Sequence, residues 1–335
     1  MLRQLGFGDL ARLHSMNRSN HDAKSELTRL TQEMASGRKS SIAEAVKGDF
    51  APITSIEMSL ARNSAFRTAS TEAASFASVM QHAYQTISAF GAESASNLLN
   101  ASQAAQPELI GTAAKDTAAR LQPVLAALNT EFGGRSVFAG EAVSGPAVAD
   151  AATLMAGLTA ATAVATDVAS LMAAVDAWFD TGGGFESTVY LGSTTPLDPV
   201  DIGQEVSADL GFTAFDPELR ATLKGIALAG LVGEGALAGD DAARAELLRN
   251  AGEILIEGES GLTRLQARLG TVEALIEEAD TARAAETSAL TVTRSGLLEV
   301  DPYETASRLQ QVQLQLETIY AVTARMQSLS LVNYL

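Results

Sequence analysis

The chain has 335 residues, 47% hydrophobic and 19% charged, which is enough apolar material for a sizeable core but too much chain for one compact domain. It has no cysteine, which excludes disulfides, thiol nucleophiles and thiolate metal sites. The formal net charge of −17, from 40 acidic and 23 basic residues, speaks against a nucleic-acid partner, because a phosphate polyanion needs a dense basic surface.

No apolar run approaches the roughly 18 residues of a membrane helix, so no membrane insertion is expected. The opening MLRQLGFGDLARLHSMNRSN lacks the apolar stretch and small-residue cleavage site of a secretory signal. Ala23, Leu27, Leu30 and Met34 then step by heptad intervals, a short helical seam. A break at 37–52 precedes a second long helix from Ile53, whose expected core is Ile56, Leu60, Phe76, Val79, Ala83, Ile87 and Phe90.

From Ser136 to Leu219 there is no Lys or Arg, against twelve Asp and Glu, and this shift marks an acidic insert at about 141–217. Inside it, 150–180 has helical spacing at Leu154, Leu158, Leu171, Val175 and Trp178. Gly182, Gly183 and Gly184 read as a flexible link, and Thr188 to Leu191 as a β-like piece before Pro196 and Pro199. Asp216-Pro217-Glu218 restarts a helix, with Asp216 as N-cap.

Leu262, Leu265, Leu269, Val272 and Ile276 form another seam, which ends between Gly296 and Asp301. Asp301-Pro302-Tyr303-Glu304 is a strong helix start, and Leu309, Val312, Leu316 and Ile319 continue at heptad spacing. Residues 303–335 carry only Glu304, Arg308, Glu317 and Arg325, with Leu314, Tyr320 and several Gln off the seam. A helix so short of charge fits burial on several sides.

The layout is mirrored: a terminal helix, a Gly/Pro break and a long inner helix at each end. It predicts a mainly α fold, an elongated coiled-coil-like helical bundle formed by the N- and C-terminal segments, with a small inserted α+β outer domain. Residues 1–42 would pair with 301–335, residues 43–140 and 218–300 would make a discontinuous bundle, and 141–217 the acidic insert. The candidate assembly residues are Leu27, Leu30, Met34, Leu309, Val312, Leu316, Ile319 and Met326. In a free subunit both ends are expected to be poorly ordered and to fold on assembly.

Chemistry is sparse. His14 and His21 are two helical turns apart, too far to share a metal ion, and His82 has no ligand-like neighbour. No phosphate loop, zinc-protease or nucleophile-elbow motif is present, so no catalytic residue, cofactor or metal is assigned. Two rival classes remain at this stage. An enzyme would need a carboxylate pair in the acidic insert, and a signalling coiled coil would need seams unbroken through 182–217.

Three places resemble the flagellin superfamily, most closely its FlgL-type hook-associated branch. They are the C-terminus from Asp301-Pro302-Tyr303-Glu304 to Ser330-Leu331-Val332-Asn333-Tyr334-Leu335, the turn Leu30 to Arg38 (LTQEMASGR), and Gly134 to Gly140 (GRSVFAG). Gly48-Asp49-Phe50-Ala51-Pro52 departs from the family's usual Asp-Asp-Pro after that turn. The resemblance implies a non-enzymatic structural subunit of the bacterial flagellum at the hook–filament junction, with a filament flagellin as the alternative. It implies export through the flagellar type III route with the help of a chaperone and the export apparatus, to an extracellular location. The implied partners are other copies of the chain in a ring, the other hook-associated junction protein on the hook side and flagellin on the filament side.

Overall fold

The computed structural model describes residues 7–332, with side chains from Ala11 to Arg325 apart from Leu13. Ten α-helices and two short hairpins are found among them. The helices are α1 (Phe7–Ser36), α2 (Ile42–Ala45), α3 (Ala51–Ala104), α4 (Pro107–Ala119), α5 (Leu121–Leu128), α6 (Ala151–Thr162), α7 (Val168–Phe179), α8 (Pro217–Gly233), α9 (Asp241–Leu298) and α10 (Pro302–Val332). The antiparallel hairpins pair β1 (Glu131–Phe132) with β2 (Arg135–Ser136), and β3 (Val200–Asp201) with β4 (Ser207–Ala208). The mainly α architecture expected from the sequence is what is found.

The chain divides into two units, one made of Met1–Ser64 with Ala284–Leu335 and the other of Ala65–Arg283. The second holds the large core. Its helix α8 is apolar nearly all round and buried from Leu219 to Val232 apart from Arg220, Ala221 and Lys224, the signature of a central rather than a surface helix. It packs on α4, α5, α6 and α7. Residues 141–217 join this same core. Leu154, Leu158, Leu171, Val175, Phe185, Val189, Ile202 and Leu210 are buried in one continuous cluster with Phe76, Met80, Tyr84 and Ile87 of α3 and Leu262, Leu265 and Leu269 of α9.

Helix starts in the 141–217 segment are written in its aspartates. Asp150 accepts from the Thr153 N–H at 2.8 Å, and Asp167 forms a reciprocal capping box with Ser170. Asp216 behaves differently. It occupies the N-cap position of α8, but its carboxylate turns back to accept from the Thr213 N–H at 3.3 Å and the Thr213 hydroxyl at 3.0 Å. Burial pushes its carboxyl pKa above the usual value.

Two local expectations are corrected. Of the expected β-like piece, Thr188 and Val189 belong to a single π-helical turn, Phe185–Val189, closed by a 2.9 Å bond from Tyr190 N–H to Phe185 O, whereas Tyr190 does form an antiparallel bridge with Val148. The turn lets Phe185 and Val189 both reach the core, a tertiary demand that outweighs the β-branched preference of Thr188-Val189. The glycine run is not simply a flexible link either. The indole of Trp178 lies where a Gly184 side chain would be, so any Cβ there collides with it.

That close approach gives a paired prediction. Gly184→Ala should lower stability in urea denaturation by roughly 1–3 kcal/mol through overpacking. Gly270→Ala, in α9 with open space around its Cβ position, should raise it by roughly 0.5–1 kcal/mol by removing backbone freedom.

Candidate assembly interface

All eight candidate residues lie in the first unit, on α1 and α10. Helix α10 opens as its sequence predicts. The Asp301 carboxylate accepts from the N–H groups of Tyr303 at 2.8 Å and Glu304 at 3.1 Å, with Pro302 at the first position. Helix α1 closes at Gly37, whose φ of +69° suits a residue without a Cβ and whose N–H bonds to Glu33 O at 2.8 Å. Beyond it, Lys39 N–H donates to Leu298 O at 2.9 Å and Val300 N–H to Gly37 O at 3.2 Å. The end of α1 is thereby tied to the start of α10, and the two helices pair antiparallel.

Leu30 and Leu316 are buried in this pair, while Leu27, Leu309, Val312 and Ile319 are half-buried on the same stripes. Met34 is 45% exposed, and Met326 lies outside the described side chains. Seven of the eight candidates are thus placed, six of them covered at least in part within one chain. Lys24 sets its ammonium 5.8 Å from the Tyr320 ring centroid at the flank of the seam.

Sequence reasoning missed the anchor of this unit. Glu33 is a buried carboxylate whose Oε1 accepts from Ser40 N–H at 2.9 Å, the Ser40 hydroxyl at 2.8 Å and Arg29 Nη1 at 2.8 Å. Arg29 also grips Glu26 with Nε and Nη2 and reaches Glu44 at 3.1 Å. Burial alone would push the Glu33 carboxyl up, but the Ser40 and Arg29 hydrogen bonds outweigh it and hold it below the usual value. Arg29 likewise holds the Glu26 carboxyl down and has its own guanidinium pKa raised. The i, i+3 and i, i+4 spacing of Glu26, Arg29 and Glu33 is the signal that could have revealed the cluster.

The far side of α10 has no such cover. Tyr303 is 85% and Leu314 64% exposed; eleven residues apart, about three turns, they share a stripe opposite the one facing α1. Val322 is also exposed, as are Phe50, Met58 and Val292 elsewhere in the unit. Among the described residues no three acidic or histidine side chains converge to hold a metal, and no helix is long and apolar enough to cross a membrane.

The low carboxyl pKa values set a direction for acid sensitivity. Carboxyls held below their unfolded value stabilise the fold above that value and lose the contribution as pH falls through the folded one. Glu33→Ala should cost about 1–3 kcal/mol at pH 7 by leaving Ser40 and Arg29 without their acceptor. The difference from the unsubstituted chain should shrink once pH drops below about 4.5, as read by urea denaturation at both pH values.

Comparison with known proteins bears on α10 and on most of α9. The model of the bacterial flagellin C-terminal helical region matches residues 256–335. No curated protein sequence matches the chain. Among solved structures, FlgL of Bacillus cereus superposes with a TM-score of 0.50 at 15% identity, covering 71% of this chain and 97% of that one. A Vibrio parahaemolyticus chain assigned as a flagellar hook-associated protein gives 0.49 at 12% identity, covering 72% and 94%. The resemblance to the flagellin superfamily therefore rests on a flagellin C-terminal helical region at 256–335 and, for the fold, on that of a FlgL.

Proposed function

We propose that the chain is a structural subunit of the bacterial flagellum, of the kind that joins hook to filament. The observation that carries the reading is the two-sided character of α10. It is a nearly uncharged helix, within the segment matched to the flagellin C-terminal region, with one apolar stripe covered by α1 and another left bare by Tyr303 and Leu314. An exposed apolar stripe of this kind marks a surface suited to further neighbours. The candidate interface residues, Met34 and Met326 among them, would then be buried between copies, and the acidic 141–217 segment would face outward. Like charge on an exterior keeps a polymer soluble, whereas burying it is expensive.

In this reading the chain passes through the flagellar export apparatus and meets a hook-side junction protein at one end and flagellin at the other. The role is mechanical, and the chain needs neither catalysis nor a cofactor.

Deleting 303–335 should leave a soluble chain that cannot restore motility to a strain lacking the gene. Negative-stain images of that strain should show bare hooks with filament protein shed into the medium; normal filaments without the protein would refute the proposal. A subtler test is Leu314→Asp. Because Leu314 is exposed, the variant should keep the helical circular dichroism of the free subunit, yet complementation of motility should fall at least tenfold. Circular dichroism should also gain helical signal on assembly if the ends order there, and full helicity in the free subunit would count against that part.

A further inference from the structure

The departure Gly48-Asp49-Phe50 and a groove in the second unit have complementary surfaces. The turn after α2 is rigidly made. Val46 N–H bonds to Ile42 O and Gly48 N–H to Ala43 O, both at 3.0 Å, and the backbone passes through φ of +53° at Lys47 and +84° at Gly48. Asp49 follows, its carboxylate accepting from Ala51 N–H at 3.1 Å at the start of α3. The turn thereby holds up a large apolar side chain, Phe50, 49% exposed, beside the exposed cation Lys47 and anion Asp49.

The groove is about 260 Å³ and has an apolar floor of Phe76, Leu197 and Leu210. Its rim carries Glu72 and Asp198, both acidic, and Arg135. Among the described residues none of these three rim charges, nor Lys47 or Asp49, has an ion-pair partner within the chain. An aromatic knob flanked by one charge of each sign thus matches an apolar floor rimmed by both signs.

We propose that the 47–50 turn of one copy docks in this groove of a second copy, with Phe50 over Phe76, Leu197 and Leu210, Lys47 facing Glu72 and Asp198, and Asp49 facing Arg135. Knob and groove are different surfaces of the same chain, so the contact is heterologous. Repeated, such a contact generates a ring or a helical row rather than a two-fold dimer. A pre-formed turn loses little freedom on docking, which favours a small contact of this kind. The inference rests on the assembly of copies proposed above and names the surfaces through which they meet.

The chain's lack of cysteine allows a direct test. Ala51→Cys, exposed next to the knob, and Val200→Cys, on the groove wall, would be placed on separate, differently tagged copies. Both would be co-expressed in the strain lacking the gene, and its flagella oxidised. Disulfide-linked heterodimers should exceed either homodimer at least tenfold. Lys47→Glu on the Ala51→Cys copy should reduce them about tenfold, and Asp198→Lys on the other copy should restore them.

Assembled flagella with only homodimers, a statistical mixture, or heterodimers indifferent to the charge changes would overturn the docking while leaving the junction role intact. Failure of the unsubstituted chain to restore filaments would instead count against the junction role. If a filament or hook protein occupies the groove, the Val200→Cys copy should be protected from thiol reagents in flagella without forming the heterodimer, and that result too would overturn the proposal.

Discussion

One imbalance governs the first unit: α10 has too few charges to be hydrated and too few neighbours to be buried. Four charged side chains in 303–335 cannot shield an apolar helix, and α1 covers a single side of it. The pairing joins segments at opposite ends of the sequence, so it bears the entropy of closing a very long loop before any side chain is covered. The seam that answers that entropy is modest, with Leu30 and Leu316 its fully covered candidate positions. The apolar surface of α10 beyond that seam, with Tyr303 and Leu314 on it, stays exposed in the single chain.

The base of the pair is secured by different means. Around the Gly37 turn the chain uses a buried carboxylate with three donors and a guanidinium shared among Glu26, Glu33 and Glu44. Such a cluster contributes less to net stability than an equal volume of hydrocarbon, because both charges are partly desolvated. Its value is geometric. Each hydrogen bond has a direction, so the turn leaves α1 along one path and α10 starts beside it. The apolar stripe above that turn would tolerate sliding, and the polar cluster below it does not.

Much of this was legible in the sequence because the devices are local. The Asp301-Pro302 start and the seams of α9 and α10 depend on residues within a few positions of one another. What escaped depended on how the chain folds back on itself in space, which no helical or strand spacing announces. Phe185 to Val189 has strand-like side chains, but a π turn is the backbone that lets two of them reach a shared core. Asp216 has the sequence of a cap, yet Thr213 reaches its carboxylate first. The three glycines look like slack, and the indole that explains Gly184 belongs to the preceding helix. Of the candidate site, the covered stripe was readable from spacing, whereas Glu33 was not, since its partner Ser40 lies across the turn rather than on the helix.

Trp178, the sole tryptophan, is buried against Gly184 with Phe179 edge-on at 4.9 Å. Its emission therefore reports the integrity of the Ala65–Arg283 unit alone, while Tyr303 and Tyr320 sit on the unpaired face and flank of α10. Tyr84 and Tyr190 are buried in that same core, so the indole, and not the phenols, is the chromophore confined to one unit. Whatever happens to α10, the indole signal certifies that the Ala65–Arg283 unit has stayed folded.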